Sequence, residues 1–178
     1  MTKGDDEPSR KAPRMILGVS TTRAAVVIAQ TTGSGETFAV SSLSSIEFQA
    51  RSGDDLSGLL RRIAAMFGRA GKSGRATIAL LGSSSGRFKS SVEAIKAEAI
   101  TELAAAESNL PVVKVTAASL KKALGCAAGQ KWQARAGERF NPAGRHKNWS
   151  PGAAGAVTAA LKVADGNRGL PRPRLREV

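Results

Sequence analysis

Acidic residues are scarce in this chain: 14 Asp and Glu stand against 27 Lys and Arg, a formal net charge of +13 over 178 residues. That balance points to polyanionic partners, nucleic acid before an anionic membrane surface. There is one cysteine, Cys126, which excludes an internal disulfide and any thiolate metal cluster; beside Gly125 it reads as a helix-end residue. There is one histidine, His146, and a lone imidazole without a nearby carboxylate reads as a loop residue rather than a general base. No apolar run approaches the roughly 20 residues of a membrane span, and residues 1–14 lack the apolar core of a signal peptide. A soluble, intracellular, cytoplasmic protein is expected.

What is present is organised around residues 75–122. Residues 76–81 form an apolar run too short for a stable helix and aliphatic enough for a strand buried on both faces. After the glycine and serine loop 82–86 and Arg87, Phe88 and Lys89, the residues Val92, Ile95, Ala99, Leu103 and Ala106 recur at helical spacing. This predicts an amphipathic helix with that stripe packed on a sheet. Asn109 and Pro111 stop it. Residues 111–115 read as a second buried strand and residues 116–124 as a helix ended by Gly125. Strand, helix, strand within about 40 residues is the spacing of a parallel crossover unit.

Upstream, residues 15–19, 24–29 and 37–48 read as three strands whose short turns allow only antiparallel neighbours. Ser52 or Asp54 caps the next helix, with Leu56, Leu59, Leu60, Ile63, Met66 and Phe67 on its apolar face; Gly68, Gly71 and Gly74 end it. Downstream, residues 126–149 mix Lys131, Arg135, Arg139, Arg145 and Lys147 with Trp132, Phe140 and Trp149. Such a segment either holds phosphates while stacking bases, or is a solvated loop pinned to the core by its tryptophans. Ser150 and Pro151 suit the N-cap and first turn of a last helix burying Val157, Leu161 and Ala164, and the small residues Gly152, Ala153, Ala154 and Gly155 suit close approach to another backbone. The expected organisation is a polar arm over 1–14, one α/β domain over 15–165 and a basic tail over 166–178, both ends disordered.

Three antiparallel strands, a helix, then strand, helix, strand and helices is the arrangement of the ribonuclease H-like fold, a mixed five-stranded sheet flanked by helices. Within it the chain resembles the RuvC-type Holliday-junction resolvases. ILGVSTTRAAVVIA stands where those proteins carry ILGIDPG and the second strand, ESNLPVVKVTAASLKKALG resembles their strand and lysine-bearing turn, and GAAGAVTAALKVA resembles their final helix, which begins D-A-A-D. The match runs over residues 15–164.

The resemblance implies four acids holding two divalent metals at one end of the sheet. Those positions fall on Ser20, Leu81, Gly152 and Gly155, so the metal site is expected to be absent and these residues vestigial. Glu47, Glu93, Glu98 and Asp165 are the acids that would have to substitute; each reads more simply as a solvated charge. The resemblance also implies a DNA-facing surface: Phe88, flanked by Arg87 and Lys89, matches the aromatic that wedges into the junction, and Lys121, with Lys122 beside it, and Lys131 match two basic positions. Arg135 follows in the same basic segment.

The expectation is a catalytically degenerate, cofactor-free module that binds branched or duplex nucleic acid, DNA before RNA. The family's habit implies a homodimer. One rival is an active structure-selective endonuclease with relocated acids, which alone would need Mg²⁺; the other is a structural subunit of a larger assembly. LGVSTTRAAVVI also resembles the first phosphate loop of actin-like and sugar kinases, but those need two such domains and an acid where Ser20 stands.

Overall fold

A computed structural model describes residues 15–72, 76–82 and 90–166. Strands β1 (Met15–Thr21), β2 (Ala25–Thr32) and β3 (Ala39–Glu47) form an antiparallel meander, and β4 (Ala76–Leu81) and β5 (Val112–Val115) add to β1 in parallel. The order β3-β2-β1-β4-β5 is that of the ribonuclease H-like fold. β1 and β4 sit at its centre and are buried on both faces, as their unbroken aliphatic runs require.

Helices α1 (Gly53–Gly71) and α2 (Val92–Glu107) cover one face. Leu17, Val19, Val26, Ile28, Ile78 and Leu80 meet Leu59, Ile63 and Phe67 of α1 and Ala97, Ala104 and Ala105 of α2 there. Helices α3 (Ala117–Ala123), α4 (Trp132–Phe140) and α5 (Pro151–Gly166) cover the other. Ser52 caps α1: its hydroxyl accepts from the Asp55 N–H while the Asp55 carboxylate accepts from the Ser52 N–H. α5 is built almost wholly of Gly, Ala and Val and is buried nearly all round, wedged between the sheet and its two flanking helices.

Several expectations need correction. The stripe Val92, Ile95, Ala99, Leu103 and Ala106 does not pack on the sheet; it faces outward, and the buried side of α2 is Ala94, Ala97, Glu98, Thr101, Ala104 and Ala105. Alanines let α2 lie close to α1 and the sheet, where larger side chains would hold it off. β5 is an edge strand, not a buried one: Val113 and Lys114 are exposed. Residues 126–149 are not a plain loop, because they contain α4 and a 3-10 turn at Pro142–Gly144. A second 3-10 turn, Gly35–Thr37, takes Thr37, the residue expected to start β3, which begins at Ala39. α1 runs through Gly68 and ends at Gly71.

Candidate functional site

The four positions that the resemblance assigns to metal-binding acids do come together. Ser20 ends β1 and lies beside Leu81 at the end of β4 in the parallel register, while Val27 of β2 is its antiparallel partner. The first turns of α5 lie across this corner. A Cβ on Gly155 would stand 2.8 Å from Ser20 Oγ and 3.0 Å from a Leu81 methyl, and one on Gly152 would stand 2.8 Å from a Val27 methyl. Further along the helix a Cβ on Gly18 would reach 1.8 Å from the Ala156 carbonyl oxygen. Helix and sheet therefore touch backbone to backbone, and Ser20 is buried beneath the helix.

These residues do not fit Mg²⁺, which takes hard oxygen ligands in octahedral geometry and is held by carboxylates and phosphates. One hydroxyl is the only side-chain oxygen the four positions offer, and the space a carboxylate would fill is taken by the helix. The other acids lie apart. Glu47 is exposed at the end of the edge strand β3. Glu93 sits in the first turn of α2, where its own backbone N–H and the Ser91 hydroxyl hold its carboxyl below the usual range. Asp165 accepts from the Gly35 N–H at the far end of α5.

Glu98 approaches the residue after β4: a Cβ on Gly82 would lie 3.8 Å from its Oε1. It is buried and bridged by Lys114 at 3.2 Å, and Lys114 also reaches Glu102 at 2.7 Å. Those two carboxylates, Glu102 first, push the Lys114 ammonium above its ordinary value. Among the described residues no three His, Cys, Asp or Glu side chains gather as metal ligands. His146 lies along Trp149, ring centroids 6.4 Å apart, and its backbone N–H donates to Asn141 Oδ1.

The basic residues are placed by two helix ends. α3 closes in a Schellman motif: Gly125, at φ 62°, donates to the Lys122 carbonyl and Cys126 to that of Lys121. The chain then doubles back through Gly129, at φ 79°, into α4, with Lys131 at its N-cap. Between these ends lies a cleft of about 910 Å³ lined by Lys121, Cys126, Gln130, Lys131, Trp132 and Pro151, among others. Lys121 and Lys131, ten positions apart in sequence, thus line one cleft together with the partly buried Trp132. Cations beside an aromatic side chain suit a phosphodiester strand whose bases stack.

Lys122 lies exposed beside Lys121 in the last turn of α3, and Arg135, on α4, is turned to Glu138 at 3.2 Å. Arg87, Phe88 and Lys89 lie outside the described residues. Trp132, Ala136 and Phe140 dock α4 on α5, and Phe140 meets Phe38 edge to face at 5.5 Å. Their i, i+4, i+8 spacing was the available signal for α4, masked by the surrounding charges.

No family model matches the chain, and no curated protein is significantly similar to it. Among solved structures it is similar to RuvC of Thermus thermophilus, with a TM-score of 0.68 at 16% identity, covering 86% of this chain and 95% of that one. The same protein in complex with Holliday junction substrate gives a TM-score of 0.70 at 15% identity, covering 87% and 95%. At this identity the likeness establishes a RuvC-like ribonuclease H-like fold. Among the described residues no helix is long and apolar enough to cross a membrane.

Proposed function

We propose that this chain is a RuvC-like nucleic-acid-binding module that has lost metal-dependent cleavage and retains binding to branched or duplex DNA. The observation that carries this reading is the closed corner: α5 rests on Ser20 and Leu81 so closely that a Cβ on Gly155 would crowd both, and the four positions offer one hydroxyl and no carboxylate. Binding does not share that dependence. Phosphate contacts need lysine and arginine and no metal, and the cleft lined by Lys121, Lys131 and Trp132 supplies two cations and an aromatic side chain. The net charge of +13 adds long-range attraction to any nucleic acid.

The rival with relocated acids is not favoured, because Glu98, whose carboxylate approaches Gly82 after β4, is bridged to Lys114. A labelled four-way junction and a matched linear duplex test the proposal, each incubated with the protein in EDTA, Mg²⁺ or Mn²⁺. Binding should be equal in chelator and metal, without cleavage. Metal-dependent nicking would overturn the loss of catalysis, and no binding at 50 mM salt would overturn the binding role.

A further inference from the structure

The outer side of α1 carries a row of cations that the fold does not use. Arg61, Arg62, Arg69 and the C-cap residue Lys72 are all exposed. At roughly 100° per residue they fall within about a third of the helix circumference, turned away from Leu59, Ile63 and Phe67 in the core. Lys114 and Arg135 are paired with carboxylates. Among the described residues the four cations of α1 have no carboxylate within ion-pair distance. Arg69 and Lys72, at i and i+3, repel one another, so the row is favourable only when an anion lies over it.

Two of the guanidiniums are also aimed. Arg62 Nε donates to the Gly58 carbonyl at 3.4 Å and Arg69 Nε to the Ala65 carbonyl at 3.2 Å. Each side chain therefore lies back along the helix by one turn, and its Nη groups have no partner among the described residues. A planar fork held in this way matches the paired oxygens of a phosphate. Between the cations stand Gly58, Ala65 and Gly68, small enough for close approach. None of the exposed large hydrophobic side chains is on α1, so this side has nothing to insert among lipid tails or to anchor a protein partner. Contacts to a sugar-phosphate backbone need no such anchor. Asp54 and Asp55 share a hollow with Arg61 and Arg62 and close the row at its start.

We infer that the outer side of α1 is a second nucleic-acid surface, which grips a duplex backbone through Arg61, Arg62, Arg69 and Lys72 and lets one copy of the chain join two nucleic-acid segments. From Arg61 to Lys72 the row is about 16 Å long, enough to meet several phosphates, which stand about 3.4 Å apart along the axis of each strand. The cleft of Lys121 and Lys131 lies across the sheet, beside α3, α4 and α5, so the two surfaces point away from each other. The α1 surface stands without the cleft; only the joining of two segments rests on the proposed function.

Fluorescence anisotropy with a linear duplex tests the α1 surface, using the full chain in a Lys121→Ala/Lys131→Ala background. Adding Arg62→Gln/Arg69→Gln there should weaken binding about tenfold and lower the slope of log K against log salt by about 2. Arg62→Lys/Arg69→Lys keeps the charge, loses the fork and should restore only part of the affinity. All these positions are exposed, so circular dichroism melts should match the wild type. Joining is read by loading the protein on a bead-bound duplex and offering a fluorescent duplex in solution. The wild type should retain the second duplex, whereas Arg62→Gln/Arg69→Gln and Lys121→Ala/Lys131→Ala should each still bind the beads and retain about tenfold less. Unchanged affinity and slope on losing Arg62 and Arg69 would overturn the inference. So would an effect seen only on phosphatidylserine vesicles or polyglutamate, with duplex binding intact. Failure of the wild type to retain the second duplex would overturn the joining. Full binding by Lys121→Ala/Lys131→Ala, abolished by the arginine changes, would overturn the cleft and leave α1 standing.

Discussion

Substituting Gly155 tests the closed corner, because two opposing effects of known size meet there. In an open helical position, glycine to alanine stabilises by about 1 kcal/mol through lower backbone entropy in the unfolded chain. Gly58 in α1 is such a position: nothing lies within 4 Å of the Cβ it would gain. At Gly155 the same methyl arrives 2.8 Å from Ser20 Oγ, 3.1 Å from Ser20 Cβ and 3.0 Å from Leu81 Cδ2, so two neighbours have to move at once. Overpacking of this kind costs about 1–3 kcal/mol.

The difference between Gly155→Ala and Gly58→Ala removes the shared helix term and leaves the steric one. For a domain of this size, about 1–3 kcal/mol corresponds to a Tm gap of roughly 2–12 °C. Gly155→Asp, the change that places an acid at this position, should fall further, because it adds a carboxylate to a buried corner. Gly18→Ala should be worst, since its methyl meets the Ala156 carbonyl at 1.8 Å and a backbone atom has no rotamer to escape into. Calorimetry of the wild type and these four variants should give the order Gly58→Ala, wild type, Gly155→Ala, Gly155→Asp, Gly18→Ala. If Gly155→Ala gains as much as Gly58→Ala, the corner has room for a side chain and the metal site is not sterically closed.

Other expectations concern charge. Lys121→Ala and Lys131→Ala should each weaken junction and duplex binding alike and lower the slope of log K against log salt by about 1, measured by fluorescence anisotropy from 50 to 200 mM salt; an unchanged slope places the strand elsewhere. Lys114→Met leaves the buried Glu98 without its ammonium and should destabilise by about 1–3 kcal/mol in denaturant melts, whereas a neutral result would mean that solvent and Glu98's other contacts suffice. Because the pKa of Lys114 is raised, the stabilisation from this bridge is fully present below the ordinary lysine value and is lost only as pH rises through the raised one. The stability of the wild-type protein should therefore be flat on this account from pH 7 to 9.

The central strands and α1 were legible because their signals are local: unbroken aliphatic runs at 15–19 and 76–81, and the cap at Ser52. The order of the four positions that the resemblance assigns to acids was legible too, although their convergence depends on α5 crossing β1, which only the small residues from 152 to 155 hinted at. The face of α2 was not legible. Size ranks Val92, Ile95 and Leu103 above Ala94, Ala97 and Ala104 as core residues, but helix packing at short range selects for small volume, so the larger side chains were left outside. α4 was missed for a related reason: its docking stripe is three residues long and sits among arginines.

Pro151 lines the basic cleft and Gly152 and Gly155 follow it onto the closed corner, so a nucleic-acid strand bound between Lys121 and Lys131, as proposed, would lie next to the end of the sheet where the resolvase resemblance places chemistry. Proximity of that kind brings a phosphodiester close without supplying a ligand to activate water or a cation to stabilise a leaving oxygen.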